Sequence, residues 1–174
     1  MEEKKIMSPQ IKGLIIALIL IVVGIAAYFT GLAYESWFSW ASSGIFCIAV
    51  IFACIHYANQ KDGFVTFGNV FGHGFKITAV TTVIVLIYSV LALTVLFPEM
   101  KEKIFEMQQA EMEKRDMPSE QVETTMNMMR KYFTLFMILG LIFGYLVTGC
   151  IGSLLGAAFA KKKPINPLTQ QGGI

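Results

Sequence analysis

The hydrophobic positions of this chain are not scattered at the spacing of a soluble core. They are gathered into four runs, 13–29, 37–57, 77–97 and 133–160, separated by polar segments. A bilayer hydrocarbon core about 30 Å thick is crossed by about 20 apolar helical residues. Each run meets that length and predicts a transmembrane helix. The chain therefore reads as an all-α membrane protein, with one four-span domain covering 1–174. No run carries an ionisable side chain near its middle, and such groups are the usual marks of transport or proton work.

The polar segments carry patterns of their own. Residues 98–132 are rich in Glu, Lys, Gln and Met, all good helix formers. Pro98 suits a first helical turn or a kink. Asp116-Met117-Pro118-Ser119 reads as a break, with Ser119 as the N-cap of the next helix. Val122, Met126, Met129 and Phe133 then form one helical stripe running into the fourth span. Spans three and four are thus predicted to continue as a helical hairpin outside the bilayer, with arms of about 20–27 Å at 1.5 Å per residue. Between spans two and three, Phe64, Phe67, Phe71 and Phe75 share one helical face, with Gly68 and Gly72 nearby. That segment predicts a short interfacial stretch, its rings at the acyl boundary, leading into span three. Its glycines lack the Gly-Lys-Ser/Thr ending and preceding strand of a phosphate loop.

The fourth run has a finer pattern. Gly140, Gly144, Thr148, Gly152, Gly156 and Ala160 recur every fourth residue, a ladder of small side chains along one side. Lipid supplies no hydrophobic reason for helices to associate, so close approach of backbones depends on such residues. The ladder predicts a contact face, either with another span of the chain or with a second copy of it.

Charge sets the expected orientation. Hydrophobic residues make up 55% of the chain and charged ones 15%, against roughly 25% in a soluble domain. Lysines flank one side of the predicted bundle: Lys4, Lys5 and Lys12 before the first span, Lys61 and Lys76 between the second and third, and Lys161, Lys162 and Lys163 after the fourth. The 30–36 loop has no cation, which predicts both termini in the cytoplasm, although Arg130 and Lys131 abut the fourth span on the other side. Trp37 and Trp40, with Tyr34, then mark the outer interface. Lys161 to Lys163 should attract anionic lipid, at about 1 kcal/mol per residue. The first run exceeds the apolar length of a signal peptide and lacks an Ala-x-Ala-like site, which predicts an uncleaved span.

Candidate chemistry is sparse. Cys47, Cys54 and Cys150 lie within the apolar runs, where thiols act as small fillers, and no Cys-x-x-Cys pair occurs. His56 and His73 make no ligand motif for haem or a metal. Seven of the ten methionines, Met100, Met107, Met112, Met117, Met126, Met128 and Met129, lie in 98–132. Thioethers select soft metals such as Cu(I), and Met126, Met128 and Met129 are the candidate ligands. The preferred reading is an adaptable apolar seam, between the hairpin arms or with a partner. No paired carboxylates and no Ser/His/Asp or Cys/His set falls within the spans, so the expectation is a protein that is not an enzyme and needs no cofactor or metal.

The aromatic-glycine turn from Phe64 to Phe75, the charged outer hairpin and the Gly-rich last span ending in Lys161-Lys162-Lys163 resemble an uncharacterised bacterial family of four-span membrane proteins, known as a domain of unknown function. The likeness covers nearly the full chain. It implies a bacterial inner-membrane location and supplies no activity, cofactor or site residue. Two classes of function remain open. The favoured one is a structural or interaction protein, with the bilayer, an envelope protein or a second copy as partners and no role for nucleic acid. The other is a component of a small-solute transporter or channel, with Tyr88, Ser89, Thr94, Tyr145 and Thr148 along a path, although such hydroxyls more often bond to nearby backbone.

Overall fold

A computed structural model describes residues 7–163. Five helices succeed one another along the chain: α1 (Pro9–Thr30), α2 (Ser36–Gln60), α3 (Phe67–Leu91), α4 (Glu99–Lys114) and α5 (Ser119–Phe159), with no strand among the described residues. Four of them, α1, α2, α3 with its π-helical extension Ala92–Leu96, and α5, are long and apolar enough to cross a membrane. The chain is a multi-pass membrane protein, all-helical among the described residues.

Local chemistry explains where the helices begin and end. Ser8 caps α1 by accepting a bond from the Ile11 N–H at 3.4 Å, and Pro9 fills the first turn, where a missing N–H costs nothing. The first span therefore starts earlier than the apolar run at 13. Gly31, at φ +78°, ends α1 in the left-handed region, with its N–H bonded to the Tyr28 carbonyl. Thr66 caps α3 through the Asn69 N–H at 3.1 Å. That cap starts the third helix at Phe67, ten residues before the apolar run at 77. Only the turn before Thr66 is non-helical, and Phe67, Phe71 and Phe75 occupy the opening turns of the third span itself. Glycines at 68 and 72 lower helix propensity, but capping and packing outweigh that small cost. Ser119 also differs from expectation: it is the first residue of α5, and Pro118 occupies the cap position after Asp116 reverses the chain at φ +51°.

Helix α3 lies at the centre of the bundle. It packs on α1, α2 and α5, while α5 also packs on α2, and α1 barely meets α2. The contact points are built from small residues. A Cβ added to Gly13 of α1 would lie 2.9 Å from Val80 Cβ, and the Thr81 hydroxyl donates to the Gly13 carbonyl at 3.1 Å. A Cβ at Gly74 of α3 would lie 2.5 Å from Cys54 Sγ and 2.6 Å from Ser153 Oγ. One at Gly149 of α5 would overlap the side chain of Thr78. Thr78 and Thr82 return their hydroxyls to the backbone one turn earlier, so these buried groups are satisfied within α3.

Beyond this core, α3 breaks. The π turn Ala92–Leu96 and Phe97 at φ −140° lead through Pro98 into α4. Helix α5 has no such break and runs 41 residues unbroken. Helix α4 returns along its first part as one arm of a hairpin with a small core of its own. Phe105, Val122 and Met126 are buried there, backed by Met112, Met117, Met129 and Phe133.

Candidate functional site

Three regions are candidates, and each is defined by which side chains remain without a partner inside the chain. The first is the small-residue face of α5. Gly152 and Gly156 press on α2: a Cβ at Gly152 would lie 3.0 Å from the Cys47 carbonyl oxygen, and one at Gly156 would lie 2.6 Å from Cys54 Cβ. Ala160 is buried beside them. A second row one helical step away, Gly149, Ser153 and Ala157, is also buried, with Gly149 against Thr78 of α3 and Ser153 against Gly74. Sequence reading missed this row because its first member at that spacing is the bulky Tyr145. At the other end of the ladder, nothing lies within 4 Å of a Cβ added at Gly140 or Gly144. There α2 and α5 part to leave a crevice of about 370 Å³, lined by Ser39, Ser43, Phe46, Gly140, Gly144 and Thr148.

The second region is the hairpin. Its methionines divide between two environments. Met126 is buried and Met129 half-buried in the seam with Phe105, whereas Met128 is 54% exposed and faces away. The candidate thioether ligands are thus not brought to one point, and the seam accounts for Met112, Met117, Met126 and Met129. Lys101 and Arg130 lie over the rings of Phe105 and Phe133, adding cation–π contacts to the seam. The hairpin is also tied to the first span. The Tyr28 hydroxyl donates to the Glu99 carboxylate, Tyr28 packs against Phe97 with ring centroids 4.2 Å apart and tilted by 36°, and Lys103 sits 4.0 Å over the Tyr34 ring. The bond from Tyr28 holds the Glu99 carboxyl below the usual carboxylate range, while burial and then Glu99 push the Tyr34 phenol up. Trp37 and Trp40 lie exposed in the opening turns of α2, at this end of the bundle.

The third region is the opposite, lysine-rich end. The C-terminal segment closes on the α2–α3 turn: the Lys163 N–H donates to the Gly63 carbonyl at 2.8 Å, and Lys162 and Lys163 lie over Phe67 and Phe64. Lys161, Lys162 and Lys163 are exposed, as are Phe64, Phe67 and Phe75, while Phe71 is half-buried and stacks between Phe67 and Phe75. Lys4 and Lys5 lie outside the described residues. Lys12, read from sequence as a flanking charge, is 6% exposed and folded into the bundle. Its ammonium donates to the Ala53 carbonyl at 3.3 Å and to Gln60 Oε1 at 3.5 Å, and lies 5.9 Å over Tyr57. His73 stacks on the same tyrosine at 4.0 Å and 9°. His56 is exposed and apart from it.

Of the hydroxyls considered for a solute path, Thr94 bonds to the Val90 carbonyl at 2.7 Å, while Tyr145 and Thr148 face the α2–α5 crevice. Tyr88 and Ser89 are half-buried on α3.

A family model described as "Protein of unknown function (DUF4199)" matches residues 12–162, nearly the whole of the described bundle. The chain belongs to the DUF4199 family. No curated protein and no solved structure matches it. The DUF4199 match runs from Lys12 on α1 to Lys162 beyond α5.

Proposed function

We propose that this chain is an interaction protein of the bacterial inner membrane, with both termini cytoplasmic, that makes its contacts through the hairpin and through the open half of the α5 ladder. The observation that carries the reading is the division of that ladder. Gly152 and Gly156 are filled by the chain's own helices, but Gly140 and Gly144 face open space. Small residues in a span permit close helix approach, and here the approach is prepared without an occupant. The occupant on this reading is span four of a second copy, and the polar hairpin outside the bilayer meets an envelope protein. The lysines gathered at the opposite end support the orientation. No catalytic step and no cofactor belongs to this reading.

The test compares wild type with Gly144→Leu in lipid nanodiscs by single-particle mass measurement. A dimer in wild type and a monomer of unchanged helix content in the variant support the reading. A monomeric wild type, or a variant dimerising as wild type does, removes the α5 contact from it. Deleting 99–130 should abolish recovery of the envelope partner. Solute flux in reconstituted vesicles with no such partner would favour a transport component instead.

A further inference from the structure

A cavity of about 460 Å³ opens at the lysine-rich end, between the starts of α1 and α3. Its walls are Ser8 and Pro9 of α1, Tyr57 and Lys61 at the end of α2, and Gly68, Asn69, His73 and Lys76 of α3, with no carboxylate among them. Two spans of 22 and 25 residues thus point their N-termini at one space. Each contributes the positive end of its dipole, although Ser8 and Thr66 already cap the Ile11 and Asn69 N–H groups. Lys61 and Lys76 add two full charges, and Lys12 lies just behind Tyr57.

Helix ends and lysines alone do not define a ligand. The deciding observation is His73. It is 7% exposed, it forms part of the cavity wall, and its Nε2 is fully buried with no hydrogen-bond partner. A buried ring nitrogen without a partner costs free energy, and such groups in folded proteins nearly always have one. Lys12 points the same way. Its ammonium is buried against two amide-type oxygens and meets no carboxylate among the described residues. The neighbourhood therefore holds three lysines, two helix N-termini and an unpaired imidazole, and no carboxylate lines the cavity among the described residues.

We infer that this cavity binds a phosphate-type oxyanion, held by Lys61, Lys76, Asn69 and the N-termini of α1 and α3, with His73 completing the site. A phosphate fits better than a carboxylate because it offers acceptor oxygens in several directions to donors that arrive from three helices. The volume exceeds that of bare phosphate, which leaves room for the group it is esterified to. That group is either a soluble phosphomonoester or the headgroup of an anionic lipid.

The test uses the full chain in zwitterionic nanodiscs, with histidine ring resonances followed by NMR. Inorganic phosphate, a soluble phosphomonoester and short-chain phosphatidic acid are added separately, at ionic strength matched with chloride. The His73 signal is expected to shift, the exposed His56 serving as internal reference. Lys61→Gln with Lys76→Gln should weaken binding about ten-fold or more, since charge-assisted bonds dominate such sites. Lys162→Gln with Lys163→Gln, outside the cavity, should change it less than two-fold. A response to either soluble phosphate assigns a soluble anion, and a response to phosphatidic acid alone assigns a lipid headgroup. Both support the site. No His73 response to any of the three overturns it, as does equal weakening by the tail variants, which would mean diffuse surface charge.

Discussion

The Tyr28 hydroxyl donates a hydrogen bond to the carboxylate of Glu99, joining the last turn of the first span to the first residue of the hairpin arm. The residues are 71 positions apart, and with Phe97 packed against the same ring they fix the angle at which α4 leaves the bundle.

This bond carries a pH dependence. The bond from Tyr28, more than any other cause, depresses the Glu99 carboxyl. A depressed carboxyl stabilises the folded form fully above the ordinary glutamate value of about 4.3, and the contribution disappears as pH falls through the folded value. Tyr28→Phe should raise the Glu99 titration midpoint toward that ordinary value. Carbon-detected NMR of labelled glutamate checks this. An unchanged midpoint would show that the bond does not persist in solution.

The packed rows and the open end of α5 should respond differently to the same small change. Gly149→Ala forces a methyl into Thr78 and should destabilise the bundle by about 1–3 kcal/mol, the usual range for overpacking. Gly144→Ala meets nothing within 4 Å and should stay within about 0.5 kcal/mol. Unfolding in mixed micelles by denaturing detergent measures both.

In the hairpin, Met126→Ala and Met128→Ala should separate a packing seam from a metal site. Loss of the buried Met126 should cost about 2–3 kcal/mol of local stability, while the exposed Met128 should cost almost nothing. Hydrogen exchange along α4 reads the difference. Equal effects of the two substitutions on Cu(I) affinity would revive the thioether reading.

Lys12→Met should leave the fold intact and raise the unfolding temperature. The ammonium is buried without a carboxylate partner, and an apolar side chain of similar length avoids its desolvation cost. A lower unfolding temperature would mean that the bonds to Ala53 and Gln60 outweigh that cost.

The spans were legible because a run of about 20 apolar residues admits almost one interpretation. The hairpin was legible because Val122, Met126, Met129 and Phe133 keep helical register across the polar boundary. The order of helices was not, since a small residue shows that something approaches closely but not which helix does. Gly74, Thr78 and Thr82 form a stripe at four-residue spacing on span three, and it passed unread because threonine is unremarkable in a membrane helix. Lys12 reads as a flanking charge and His73 only as a residue without a ligand motif, and neither reading gives its neighbours. Sequence position supplies distance from the membrane edge, whereas only the crossing of α1, α2 and α3 turns those side chains inward.

The unequal legs of the hairpin have a mechanical consequence. Helix α5 holds 41 residues with no proline or π turn, a rod about 60 Å long and twice the depth of the hydrocarbon core. The other leg is jointed at Ala92–Leu96 and Pro98. The unbroken leg therefore carries the hairpin in fixed register with the points where Gly149 and Gly152 are clamped, while the broken leg depends on Tyr28, through Glu99 and Phe97, to hold its direction.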